Sequence, residues 1–455
     1  MRFPACVRQF VVLLAFAQAS VCLAAEGKVD DLETTRAKAV QGDAKAQCAL
    51  GVMYDSGQGV AKDHAEAAKW YRKAADQGLA RAQHNLGYAY QYGEGVPKDL
   101  AEALKWYRLA AEQGFAQSQT NLGRMYQWGE GVTKDSAAAV KWFRQAAESG
   151  DAVGQGNLAI MLEMGEGVPR DDAEALKWYL KSAEQGYATA QLYLATLYEQ
   201  GERRPRDFAA AVFWYRKCAD QGNAEARFSL GYMHEIGRGV PQDYLEAAKW
   251  YRLAAEQGHA RAQLNLGVIS NRDDSPVKDH AEAAKWLRKS ADQGDDMAQF
   301  NLGMMHYIGR AVPKDWKEAA RLLTLSSEQG YGPAQLNLGI MCEDAQGRPQ
   351  DHAEAIKWYL RAADQGYALG HFHLGMMSAS GKGTPKDTLE SCARFTLAAA
   401  MGHEKSRKMM EQLQKKMPPD FLEQARKRSQ EMLREADERT AKAAGEARAK
   451  KGARK

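Results

Sequence analysis

The chain has 455 residues, 45% of them hydrophobic and 26% charged, with 62 Lys and Arg against 58 Asp and Glu. That is the composition of a folded, soluble protein, and no apolar run beyond the N-terminus approaches the ~18 residues that would make a membrane-spanning helix. The charge is uneven: residues 403–455 carry 16 Lys and Arg against 9 Asp and Glu, so the end is basic and the body mildly acidic.

In chain order, the first signal is for export. Arg2 and Arg8 supply a positive region, Phe10 to Ala17 form an apolar core too short for a stable span, and Ala24 and Ala25 follow. This three-part pattern predicts a signal peptide over residues 1–25, cleaved after Ala24 or Ala25, and a periplasmic or secreted destination. An uncleaved anchor is the alternative. Lipid attachment at Cys22 is disfavoured by Val21, where a small residue is usual. Four cysteines remain: Cys48, Cys218, Cys342 and Cys392. They lack C-x-x-C spacing, which argues against zinc or redox motifs. Buried free thiols are expected; only Cys342 and Cys392 are near enough in sequence to pair.

From residue 37 onward one period dominates. Glycine recurs every 36 residues, from Gly42 and Gly78 through to Gly366 and Gly402, without insertion or deletion. One unit predicts two helices. The first, around Ala80 to Tyr92, places Ala82, Leu86 and Tyr90 on one stripe. Gly93 to Gly95 end it, and Pro97 prevents its resumption. Asp99 caps the second helix, with Glu102 completing a capping box. The Asp-x-x-Glu pair recurs down the chain, but Ala138 and Ala210 replace the glutamate in units three and five, which predicts weaker caps there. Gly87 and Ala110 mark close helix approach, and Trp106 and Tyr107 supply bulk. Tryptophan recurs at the same register from Trp70 to Trp358, which reads as a core column. A 36-residue hairpin cannot bury enough surface alone, so neighbours must stack.

The Ala82-Gln83-His84-Asn85-Leu86-Gly87, Gly93-Glu94-Gly95-Val96-Pro97 and Lys105-Trp106-Tyr107-Arg108 segments, repeated ten times over residues 37–402, resemble the Sel1-like repeat, a relative of the tetratricopeptide repeat. The resemblance implies an all-α solenoid, a right-handed superhelix of about ten helix-turn-helix units, with first helices lining a concave groove.

Departures mark particular places. Unit seven replaces the glycine loop with Asn271-Arg272-Asp273-Asp274-Ser275, so its first helix should end differently. Leu322 and Arg394 replace the tryptophan in units eight and ten. Pro418-Pro419 followed by Asp420 to Glu423 predicts capping helices over residues 403–439, and the Ala/Lys/Arg-rich residues 440–455 read as a basic disordered tail.

No catalytic signature is present: no Gly-x-Ser-x-Gly, no His-Glu-x-x-His and no P-loop. Gly381-Lys382-Gly383-Thr384 is an interhelical loop. His371 and His373, two apart, face different sides of a helix, and His64, His280 and His352 follow capping aspartates on an expected solvated first turn. No cofactor or metal is expected. The sharper signal is what varies between units. Tyr88 and Tyr92, Arg124 and Trp128, Ile160 and Met164, Tyr232 and Ile236, and Met304 and Ile308 occupy equivalent i, i+4 positions on first helices. Packing columns must repeat, whereas a surface free of packing may vary, and large aromatic, Met and Arg side chains suit protein-binding hot spots. The expectation is a non-enzymatic, exported scaffold taking a partner protein or peptide in its groove. A β-lactamase-like hydrolase, implied for the cysteine-rich Sel1 subgroup, lacks its cysteine pairs here. A structural spacer remains, its basic tail making electrostatic contact with the envelope; nucleic acid is not an expected partner of an exported chain.

Overall fold

The computed structural model describes residues 31–201 and 205–452; the signal peptide expected over residues 1–25 lies outside them. Among the described residues there are 23 helices and no strand. A short helix, Leu32–Val40, precedes ten helix pairs, which begin with Ala44–Ser56 and His64–Asp76 and end with Ala368–Ser380 and Thr388–Ala400. Glu404–Gln414 and Pro419–Gly452 follow. The fold is an all-α solenoid. Packing separates the described residues into two compact units. One runs up to Ala226 with Arg238–Val240, the other comprises Arg227–Gly237 and the residues from Pro241 on. No described helix is long and apolar enough to cross a membrane.

The second repeat shows why each pair forms. Ala80–Tyr92 buries Ala82, Leu86 and Ala89, while Tyr90 is only half-buried. The helix closes at Gly93, whose φ of 77° lies in the left-handed region and whose N–H donates to the Ala89 carbonyl at 2.8 Å. The Asp99 carboxylate then accepts from the Ala101 and Glu102 amides at 2.9 and 3.1 Å, capping Leu100–Glu112.

The expected capping box is only half made. The Asp99 N–H is already donated to the Tyr90 carbonyl at 2.9 Å, which leaves nothing for Glu102 to reach back to. Glu102 instead accepts from the Trp106 indole at 2.9 Å and from Lys105 at 3.2 Å. Glu174, Glu282 and Glu354 accept from Trp178, Trp286 and Trp358 in the same way. Ala138 and Ala210 therefore leave the cap intact, since their amides still reach Asp135 and Asp207 at 2.9 Å. What those units lose is the carboxylate beside the tryptophan.

The deepest column is the tyrosine, not the tryptophan. Tyr107, Tyr251, Tyr359 and Phe143 are wholly buried. Gly87 makes room: a Cβ there would lie 2.9 Å from the Tyr107 ring. Removing such a side chain costs about 3–5 kcal/mol. Trp106, Trp286 and Trp358 are buried, but Trp70, Trp142, Trp178, Trp214 and Trp250 are half-exposed. The column therefore runs from core to rim, and in both settings a cation lies over the ring, as with Lys181 over Trp178 at 4.3 Å and Arg361 over Trp358 at 4.6 Å.

A buried amide ladder links successive units. Gln83 donates to the Ala75 carbonyl of the preceding unit at 3.3 Å and accepts from Gln113 at 2.8 Å. Gln155 makes the corresponding bonds to Ala147 and from Gln185, Gln191 to Ala183 and from Gln221, and Gln263 to Ala255 and from Gln293. Each rung gives a second donor to a helix-end carbonyl that also accepts a main-chain amide, as Ala75 does from Gly78 at 2.9 Å. Arginine–glutamate pairs between units add a second tie, Arg144 to Glu174 at 2.6 Å and Arg252 to Glu282 at 2.9 Å.

Irregular units deviate where their glycines are missing. In unit seven the first helix stops at Asn271, and Arg272 is extended. Ala311 and Ala345 occupy glycine positions with φ of 58° and 59°. At the C-terminus, Ala425 and Met432 are buried, and Met432 packs with Ala393 and Leu397 of the last pair. Arg439 clasps Asp364 through two bonds of 2.9 and 2.7 Å. The helix continues to Gly452, through the stretch expected to be disordered from 440. Its Ala, Glu, Lys and Arg residues are strong helix formers, so propensity sustains it without an apolar stripe.

Candidate functional site

Every one of the variable first-helix residues lies outside the core. Tyr88, Tyr92, Arg124, Ile160, Ile236 and Met304 are half-buried, and Trp128, Met164, Tyr232 and Ile308 are exposed, at 53, 47, 38 and 52%. They fall in two sets. Tyr88 to Met164 belong to the first compact unit and Tyr232 to Ile308 to the second.

Their two positions differ in duty. Tyr88 and Ile160 pack against the buried residues behind them, so this column works partly as the edge of the core. Tyr88 and Tyr92 also lie against each other, with ring centroids 4.4 Å apart. The column four residues on reaches further out, onto the last turn of each first helix. There Trp128, Met164 and Ile308 present roughly half their surface to solvent. Holding an indole at that exposure gives up hydrophobic burial, and their helices are fixed by the tyrosine column and the amide ladder. The face is therefore preformed, requiring little ordering on contact.

One cluster escaped the reading of the sequence. Asp55 on the last turn of its helix, His64 on the first turn of the next and Glu94 from the following unit's loop bring a ligand atom each within 4.8 Å of the other two. His64 Nδ1 lies 2.6 Å from Asp55 Oδ1 and 4.0 Å from Glu94 Oε2. His64 is about one-third exposed rather than fully solvated. The residues are 9 and 30 positions from the histidine, a spacing that matches no short motif. The cluster borders the variable face. Burial first, then the charges of Glu94, Tyr92 and Asp55, push the Tyr88 phenol up to about 12.

The remaining titratable groups are embedded. Cys48, Cys218, Cys342 and Cys392 are buried and unpaired, including the two nearest in sequence. Burial raises the thiols of Cys48 and Cys342 to about 11 and that of Cys218 to about 12, which suppresses thiolate chemistry. His371 is buried 3.4 Å from Arg394, whereas His373 stacks on Tyr359 with centroids 4.6 Å apart, so the two imidazoles do diverge.

Comparison with known proteins agrees with this geometry. The Sel1 repeat model matches ten consecutive segments, from residues 44–79 to 368–403. The structure is similar to c5321, a protective antigen present in uropathogenic Escherichia coli strains with an SLR fold, at 34% identity over 91% of this chain and 97% of that one, with a TM-score of 0.67. It is also similar to a Sel1 repeat protein from Oxalobacter formigenes, at 33% identity over 68% and 89% of the two chains, with a TM-score of 0.50. No curated protein matches significantly. With ten family repeats in unbroken succession and two similar structures of the same kind, the chain belongs to the Sel1 repeat family.

Proposed function

We propose that the protein is an exported interaction scaffold that takes a partner protein or peptide on its first-helix faces. The observation that carries this reading is the exposure of Trp128, Met164 and Ile308 at one equivalent position, in a column whose residues change from unit to unit. Sel1 repeats are typically used for protein interaction, and large apolar anchors such as Trp128 and Met164, held on fixed helices of one compact unit together with Arg124, are suited to it. Export rests on the N-terminal pattern, and likeness to a protective antigen leans the same way.

A photo-crosslinking residue placed at 128 or 164 in the producing cell tests this. Phe213, 52% exposed on a second helix, is the control position. A discrete adduct from 128 and 164 but not 213 is expected, and it names the partner. Equal labelling at 213, or none at all, refutes the assignment of the face. N-terminal sequencing of the mature product from the same cells tests export separately: a start at Ala25 or Glu26 supports it, and retention of Met1 in the cytoplasm rejects it.

A further inference from the structure

We propose that Asp55, His64 and Glu94 hold a divalent transition-metal ion of the Zn2+ type between units one and two, through one imidazole nitrogen and two carboxylate oxygens. Three observations support the site. First, its ligands come from three separately fixed pieces of backbone. Asp55 and His64 face each other across the loop of unit one. Glu94 is brought over by the loop of unit two, because Gly95 lies directly on the His64 carbonyl: a Cβ there would be 1.9 Å from that oxygen. Gly95 has a φ of 73°, a conformation that glycine alone enters readily.

Second, the distances bracket what a metal needs. Zinc bonds of about 2.0–2.2 Å in a tetrahedron put ligand atoms roughly 3.4 Å apart. The two separations from His64 Nδ1 are 2.6 and 4.0 Å, so small rotations of the Asp55 and Glu94 carboxylates reach the required spacing. Third, among the described residues the combination occurs once, in an array that otherwise repeats. In the other units that have a core tyrosine, the residue equivalent to Asp55 accepts its hydroxyl, as Glu163 does from Tyr179 and Gln91 from Tyr107. Asp55, a carbon shorter, turns to His64 instead. The equivalent histidines, His280 and His352, have Arg310 and Lys382 in place of Glu94, and a cation there repels a metal. Three protein ligands leave at least one coordination position for water or for a group supplied by another molecule.

Zn2+ titration of the chelator-stripped full chain by calorimetry at neutral pH tests the site, with His64→Gln and Glu94→Gln variants whose helicity is checked by circular dichroism. One Zn2+ per chain is expected, with affinity weakened about tenfold or more in each variant. Co2+ provides a second readout, because oxygen and nitrogen ligands give only weak visible bands, whereas thiolates give an intense near-ultraviolet one. No binding at millimolar Zn2+, binding indifferent to both substitutions, or a thiolate band growing with Co2+ saturation would overturn the assignment.

Discussion

Unit three contains a broken rung. Its ladder glutamine, Gln119, donates to the Ala111 carbonyl at 3.1 Å, but the residue that ought to donate to Gln119 is Ser149. A serine is too short, and among the described residues Gln119 Oε1 has no donor. Ser149 itself is exposed, so Ser149→Gln can extend its amide inward without displacing the core. In intact rungs that bond is 2.7–3.0 Å long, as from Gln185, Gln221, Gln329 and Gln365. Satisfying a buried acceptor returns about 1–3 kcal/mol, and ordering the glutamine side chain takes back up to about 1.5 kcal/mol. The net is a stabilisation of about 1 kcal/mol, or roughly fivefold slower exchange of the amides that open locally. The reverse change, Gln185→Ser, puts Gln155 in Gln119's position and should destabilise unit four by a similar amount. Hydrogen exchange read by mass spectrometry resolves this unit by unit, which whole-chain melting of a repeat array does not. Unchanged protection around residues 116–151 in Ser149→Gln, or faster exchange, would refute the ladder's energetic role.

Other consequences can be checked with simpler assays. Gly95→Ala forces a Cβ into the His64 carbonyl and an alanine into positive φ, and should destabilise by about 2–4 kcal/mol in urea unfolding; a change near zero would contradict the close approach. Ala345→Gly, at an exposed site already held at φ 59°, should stabilise by about 1 kcal/mol, visible as a higher thermal midpoint. Burial, aided by Arg394 and opposed by Asp364, lowers the His371 imidazole to about 4. Below the ordinary histidine value the unfolded chain therefore binds a proton that the folded one refuses. The stability this confers is complete above pH 6.5 and lost as pH falls toward 4. Protection factors of residues 368–400, taken relative to the intrinsic exchange rate at each pH, should fall across that window, and His371→Gln should flatten the fall.

The sequence made much of this molecule legible because a repeat presents each position ten times. Helix limits read from Ala80–Tyr92 coincide with the structure, and Gly87 opposite Tyr107 follows from recurrence of both columns. Recurrence misleads where it does not reveal direction. The tryptophans repeat as faithfully as the tyrosines, yet only Trp106, Trp286 and Trp358 join the buried core, and Trp70, Trp142, Trp178, Trp214 and Trp250 stay half-exposed. The capping box failed because the Asp99 amide belongs to a loop bond that no local motif announces. Gln83 and Gln113 were visible as columns, but only the packing of two helices sets them face to face. His64 and Glu94 each recur, at His280 and His352 and at Glu130 and Glu166, but never together with an aspartate at the place of Asp55, so no column announced the combination.

The amide ladder also bears on how such a chain changes its length. Each rung uses a glutamine near the start of a first helix, a glutamine at the end of its own second helix, and a carbonyl that the preceding unit offers as main chain. Since the last of these is backbone, it is the same whichever unit precedes. Duplication or loss of one 36-residue stretch in the gene would therefore regenerate a complete rung at the new junction. The final unit departs in both glutamine columns, with His371 and Met401, and has the Pro419–Gly452 helix laid against it. Growth and shrinkage by unequal exchange are open to the interior of the array and closed at this end.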